Sequence, residues 1–302
     1  MRRACRVIGF IMALAPFTGA RAALNVFACV PEWAALVQEI GGDKVSVYQA
    51  TTALQDPHRV EARPSLVAKM RNADLVTCTG AGLEVGWLPV LLQSAGNRKV
   101  APGQPGHFLA AEFVAKLEIP ASLDRAQGDI HPEGNPHIHL NPHNIAAVAL
   151  ELTKRLALVD GANAGYYSTR GAQFQKRWAD ATQRWERAAA GLKGVRVVAY
   201  HKGASYLLSW LGMREMMNME PKPGIPPSAG HLSILLSNLK TQGADVVLRM
   251  AYNDPKAPEW LAERAKLPVA ELPFTVGGTP GAKDLFGLFD DTIARLRNAT
   301  GK

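Results

Sequence analysis

From about Asn144 to Leu192 the chain holds no proline and almost no β-branched runs. Phe174, Trp178, Ala181, Trp185 and Ala188 recur there at i, i+3 or i+4, so the spacing predicts a helix with one buried stripe. Gly161 and Gly165 mark where it would break. The stretch reads as one long helix or two collinear ones, with a helical pair packed inside one domain as the alternative. On both sides of it, short apolar runs alternate with helical stretches. Strands are expected near Leu24 to Val30, Lys44 to Tyr48 and Ala73 to Thr77, and again near Val195 to Tyr200, Asp245 to Met250 and Val269 to Leu272. Helices are expected near Glu32 to Ile40, from Pro64-Ser65, and near Ser205 to Leu211, Glu259 to Lys266 and Asp284 to Leu296. Strands separated by helices imply parallel sheets with right-handed crossovers. The expected class is α/β, with two αβ units on either side of a helical spine.

The first 22 residues read as a cleavable secretory signal. Arg2, Arg3 and Arg6 precede an apolar run from Val7 to Leu14, and Ala20-Arg21-Ala22 is a small-x-small cleavage site. The run is too short to span a bilayer, and no later segment reaches that length free of charges and prolines. Cys5 stands before the apolar run, a poor place for a lipid-attachment cysteine. The boundaries expected are therefore 1–22 for the signal, 23–143 for the first lobe, 144–193 for the connecting helix and 194–302 for the second lobe. Loss of the signal takes away four arginines and no acids, so the formal +8 falls to about +4. That excess is spread thinly, without a basic run, and excludes nucleic acid as a partner. Cys29 and Cys78 remain, both near strand ends. They read either as a disulfide, which export permits, or as two small buried hydrophobes.

Chemistry gathers on histidine. His58 follows Asp56-Pro57 where a strand gives way to a loop, the end at which open αβ sheets bind ligands. His201 ends the strand VVAY in the second unit, in the same kind of place. His137 belongs to a cluster with His131, His139 and His143, stiffened by Pro132, Pro136 and Pro142. Such stiffening lowers the entropic cost of capturing a metal. His131 and His139 read as groups behind the ligands, transient metal catchers or surface residues, and His143 as the start of the long helix. His107 and His231 have no such setting. No two of His58, His137 and His201 are neighbours in sequence, so only the tertiary fold can bring them together. Three imidazoles meeting that way suit Zn²⁺ or a similar borderline metal.

These segments resemble the cluster A-I metal-binding proteins of ABC importers, the zinc/manganese uptake family. DPHRVEARPS followed by ADLVTCTGAGLEVGWL, then GNPHIHLNPHN, then VVAYHKGASYLLSWLGM are similar, in this order, to its three ligand-bearing segments. The resemblance covers nearly the whole mature chain. It implies two Rossmann-like lobes with parallel sheets joined by a long helix, and a metal in the cleft between them. It places the ligands on His58, His137 and His201. A histidine at the third position is typical of zinc-type members, whereas manganese-type members carry glutamate. The family commonly adds an aspartate from the loop after the last strand, but here Phe274 or Thr275 fills that place. The fourth position then falls to water, to Glu271 or Glu220, or to a histidine of the 131–139 loop. The expected function is a periplasmic, monomeric solute-binding protein that carries Zn²⁺ to a permease in the inner membrane and is not an enzyme. The alternatives are manganese or another divalent metal, or a three-histidine zinc hydrolase.

Overall fold

The computed structural model describes residues 22–122, 128 and 131–302. All but the last residue of the expected signal segment therefore lies outside the described residues, as do Asp129 and Ile130 of the histidine-rich loop. No helix among the described residues is long and apolar enough to cross a membrane.

The first lobe is built on β1 (Leu24–Ala28), β2 (Val45–Gln49), β3 (Leu75–Cys78) and β4 (His107–Leu109), all parallel, in the order β2-β1-β3-β4. Its crossover helices are α1 (Pro31–Gly41), α2 (Pro64–Arg71) and α3 (Leu88–Ala95), each opening on a proline at the first or second helical position, where a missing N–H costs nothing. The second lobe repeats the plan with β5 (Arg196–Ala199), β6 (Arg214–Asn218), β7 (Val246–Met250) and β8 (Val269–Leu272) in the order β6-β5-β7-β8. Its helices are α6 (Ser205–Leu211), α7 (Ala229–Gln242), α8 (Lys256–Ala265) and α9 (Leu285–Thr300). The sequence reading did not find β6 or α7. Arg-Glu-Met-Met-Asn carries no β-branched residue and no alternation, so nothing in it announces a strand.

The helical stretch corrects the expectation of one long helix or two collinear ones. It folds as α4 (Pro142–Val159) and α5 (Ala164–Ala188), which turn back on each other through residues 160–163. Trp178 Nε1 donates to the Pro142 carbonyl and Gln175 Nε2 to that of Ala146, so the two helices run antiparallel. Period alone cannot tell a continuous helix from a hairpin, because both bury one stripe. The connection between lobes is α5. Its Arg170 and Arg177 reach Glu39 at the end of α1, and its Trp185 stacks on Phe289 of α9 and donates to Asp290. Stacked and edge-on contacts among Phe174, Trp178, Trp185, Phe286 and Phe289 make one aromatic block. Each of its close pairs contributes about 0.5–1.5 kcal/mol beyond burial. One apolar core runs through the first sheet, α4, α5, α9 and one face of the second sheet, while the other face packs on α7 and α8.

Candidate metal centre

Strand ends deliver the chemistry. Cys29 and Cys78 follow or end β1 and β3, and adjacent parallel strands bring them into a disulfide with Cα atoms 4.8 Å apart. Beside it, the buried Glu84 carboxylate accepts from the Thr79 and Gly80 backbone N–H groups and so shapes the turn after β3. Burial pushes that carboxyl up to about 7, against those two bonds.

His58, His137 and His201 converge, each offering one ring nitrogen, with those nitrogens all within 4.8 Å of one another. Their ring centroids stand 5.3, 5.8 and 5.3 Å apart for the pairs 58–137, 58–201 and 137–201. Imidazoles bound to tetrahedral Zn²⁺ at about 2.0–2.1 Å would have centroids about 5.2 Å apart; the pairs 58–137 and 137–201 stand close to that spacing, and 58–201 is wider. His58 is brought in by the loop after β2. The Asp56 carboxylate accepts from the His58 backbone N–H at 3.0 Å and pairs with its Nδ1 at 2.8 Å, which turns Nε2 toward the centre. Burial pushes the Asp56 carboxyl up, but the hydrogen bond and charge of His58 outweigh it and hold the group below its usual range.

His201 lies just beyond β5 in extended backbone, and its Nδ1 pairs with Glu220 Oε2 at 2.6 Å. Glu220 belongs to the proline-rich loop after β6, and the same oxygen accepts from the Gly224 N–H. His137 is buried on a loop stitched to the second lobe. Asn135 accepts from the His137 N–H and donates to the Lys202 carbonyl, and the Tyr206 hydroxyl donates to the Asn135 carbonyl. Gly134, at φ 106°, makes the turn that precedes them, and a side chain there would strike the Leu117 carbonyl. Burial, and then the neighbouring imidazoles of His58, His201, His139 and His131, holds the His137 ring well below the usual histidine range. At neutral pH it is an uncharged ring with a lone pair ready for a cation.

The other histidines separate by position. His131 stands at the rim, its ring centroid 5.3 Å from that of His58 and 6.4 Å from that of His137. His139 is fully buried behind the centre, where it donates from Nε2 to the Phe274 carbonyl. His143 is exposed and pairs with Glu186, away from the three rings. His107 bonds the Val100 carbonyl, and His231 lies in the first turn of α7. Phe274 packs edge-on against His137, so the loop after β8 presents carbon to the centre, as expected. Glu271 is tied to Arg249, and Glu220 is engaged by His201. A cleft of about 230 Å³ lined by Asp56, His58, His201, Glu220 and Tyr252 opens beside the rings. Reasoning from sequence missed the pairing of Asp56 with His58, for which an acidic residue two positions before a loop histidine was the signal.

Comparisons with known proteins agree with this architecture. A family model described as ZnuA, zinc-uptake complex component A, periplasmic, matches residues 26–299. The chain is 24% identical over 305 residues to the high-affinity zinc uptake system protein ZnuA of Paracoccus denitrificans, covering 89% of this chain and 88% of that protein. It is 29% identical over 147 residues to the manganese ABC transporter substrate-binding lipoprotein scaA of Streptococcus gordonii, covering 48% of this chain and 44% of that one. Among solved structures, a crystal structure of ZnuA superposes with a TM-score of 0.76 at 22% identity, over 92% of this chain and 99% of that one. A Cd-bound periplasmic metal-binding protein from Candidatus Liberibacter asiaticus superposes with a TM-score of 0.74 at 15% identity, over 91% and 98%.

Proposed function

The chain belongs to the ZnuA family of periplasmic zinc-uptake components, and from that membership we propose that it captures Zn²⁺ outside the inner membrane and delivers it to an ABC-type permease. Nε2 atoms of His58, His137 and His201 are the ligands in this reading. The observation that supports it is the convergence of the three rings, whose nitrogens lie within 4.8 Å of one another and two of whose three centroid separations are near those of a tetrahedral zinc site. Asp56 and Glu220 orient two of the rings and strengthen them as donors, as carboxylates behind zinc-bound histidines do. Three imidazoles with no carboxylate among them favour zinc over manganese. The fourth position is open to water or to His131 swinging in from the rim. Asp56 and Glu220, the carboxylates that touch the rings of His58 and His201, are committed to their Nδ1 atoms and do not serve as a general base in this reading, which is a carrier, not a hydrolase. Export through the N-terminal segment and action as a monomer belong to the same proposal.

Zinc titration of the purified protein against a chromophoric chelator tests it. One equivalent should bind tightly, and each of His58→Ala, His137→Ala and His201→Ala should weaken binding at least 100-fold. Parental affinity in any one of the three would overturn the ligand set.

A further inference from the structure

The nitrogens that face away from the centre divide the three imidazoles. Nδ1 of His58 has the Asp56 carboxylate and Nδ1 of His201 has that of Glu220, at 2.8 and 2.6 Å. Nδ1 of His137 is buried and has no hydrogen-bond partner. A ring aimed at a cation needs something to fix its rotation. What touches His137 instead is Phe274, edge-on with centroids 5.3 Å apart.

Phe274 is itself held through its main chain. Its carbonyl accepts from His139 Nε2 at 2.8 Å, and the hydroxyl of Thr275 donates to Glu32 Oε2 at 2.5 Å. Nδ1 of His139 lies 3.4 Å from Glu32 Oε1, a close approach of two buried atoms that have no hydrogen-bond partner, so this link is electrostatic while that to Thr275 is a hydrogen bond. Glu32 is 1% exposed and His139 0%. A carboxylate so far from water persists only where its contacts offset the lost hydration. Its contacts here come from the histidine loop and from the loop after β8, 243 residues away.

We propose that Glu32, acting through His139 and Thr275, is the positioning group for His137. It fixes the backbone at Phe274, and the Phe274 ring then holds the imidazole in its metal-facing orientation. The clamp starts on α1 of the first lobe and ends on the second, and it does for His137 what Asp56 and Glu220 do for the other two rings. The inference rests on the reading that His137 binds the metal.

The test is a mutant cycle on the full chain, read as zinc affinity by chelator competition alongside thermal unfolding of the metal-free protein. Glu32→Ala and Phe274→Leu should each weaken zinc about 10–100-fold, the range for groups that orient metal ligands. The double variant should bind no more weakly than the worse single one, because both changes release the same ring. A merely structural role would lower the unfolding temperature of Glu32→Ala and leave zinc affinity within twofold of the parent, and that result overturns the proposal. Losses that multiply in the double variant overturn it as well. If Glu32→Ala does not fold, Thr275→Val takes its place in the cycle, with a loss of at least threefold expected and unchanged affinity fatal. His137→Ala separates the two levels. Parental affinity in that variant sinks the metal site itself, whereas its loss beside an unaffected Glu32→Ala sinks only the clamp.

Discussion

Nε2 of His137 and Nε2 of His201 face each other at 3.3 Å across the boundary between the lobes. Two ring nitrogens bound to one tetrahedral zinc at about 2.0 Å would be separated by about 3.3 Å, the edge of the tetrahedron. Two bare lone pairs at that range repel, so the pair needs a shared proton or a cation. In the proposed site this pair, from residues 64 positions apart, is one edge of the coordination polyhedron, and the loop carrying His58 adds the third corner.

The carboxylates behind the rings should matter nearly as much as the rings. Asp56→Ala frees the His58 ring to rotate and Glu220→Ala frees that of His201. Each should weaken zinc about 10–100-fold while leaving one equivalent bound. Isothermal titration with a competing chelator measures both, and affinities equal to the parent would remove these carboxylates from the account.

Acid should destabilise the metal-free protein through His137. Its folded pKa lies below the unfolded one, near 6.5, so the unfolded chain takes up the proton first. Stability from this group is intact above about pH 6.5 and declines as pH falls below it. Glu84 works in the opposite direction. Its carboxyl, raised to about 7, contributes most below its unfolded value and loses that contribution as pH rises through 7. Urea unfolding at pH 7.5 and 5.5 should show the parent losing more stability on acidification than His137→Asn. An equal loss in both would remove His137 as the source.

Much of this was legible in the residues. The strand-and-helix alternation, the two lobes and the three histidines at turn-rich positions follow from local pattern, because each is written within a few neighbouring residues. The helical hairpin was legible only as the alternative to a long or collinear helix, since a buried stripe looks the same whether the partner is another lobe or the preceding helix. Glu32 was not legible: an acid in the first turn of a helix reads as a favourable dipole contact. Only the tertiary fold buries it against His139 and Thr275.

Gly171 in the middle of α5 offers a check on the hairpin. An exposed helical glycine replaced by alanine usually stabilises by about 0.5–1 kcal/mol. Here a β-carbon would overlap the Thr153 side chain of α4. Gly171→Ala should therefore destabilise, by about 1–3 kcal/mol as overpacking does. A raised unfolding temperature would show that the helices do not pack so closely.

The disulfide closes a loop between positions 49 apart. Replacing Cys29 and Cys78 by alanine should lower stability by about 2–4 kcal/mol. Zinc stoichiometry should not change, because the sulfurs lie outside the histidine cluster. Loss of zinc binding in a variant that still folds would tie the disulfide to the site.

The most direct test is an anomalous difference map at the zinc edge from crystals grown with the metal. A single strong peak about 2.0–2.1 Å from Nε2 of His58, His137 and His201 is the predicted result. A peak elsewhere, such as between His143 and Glu186, with none among those three rings, would contradict it.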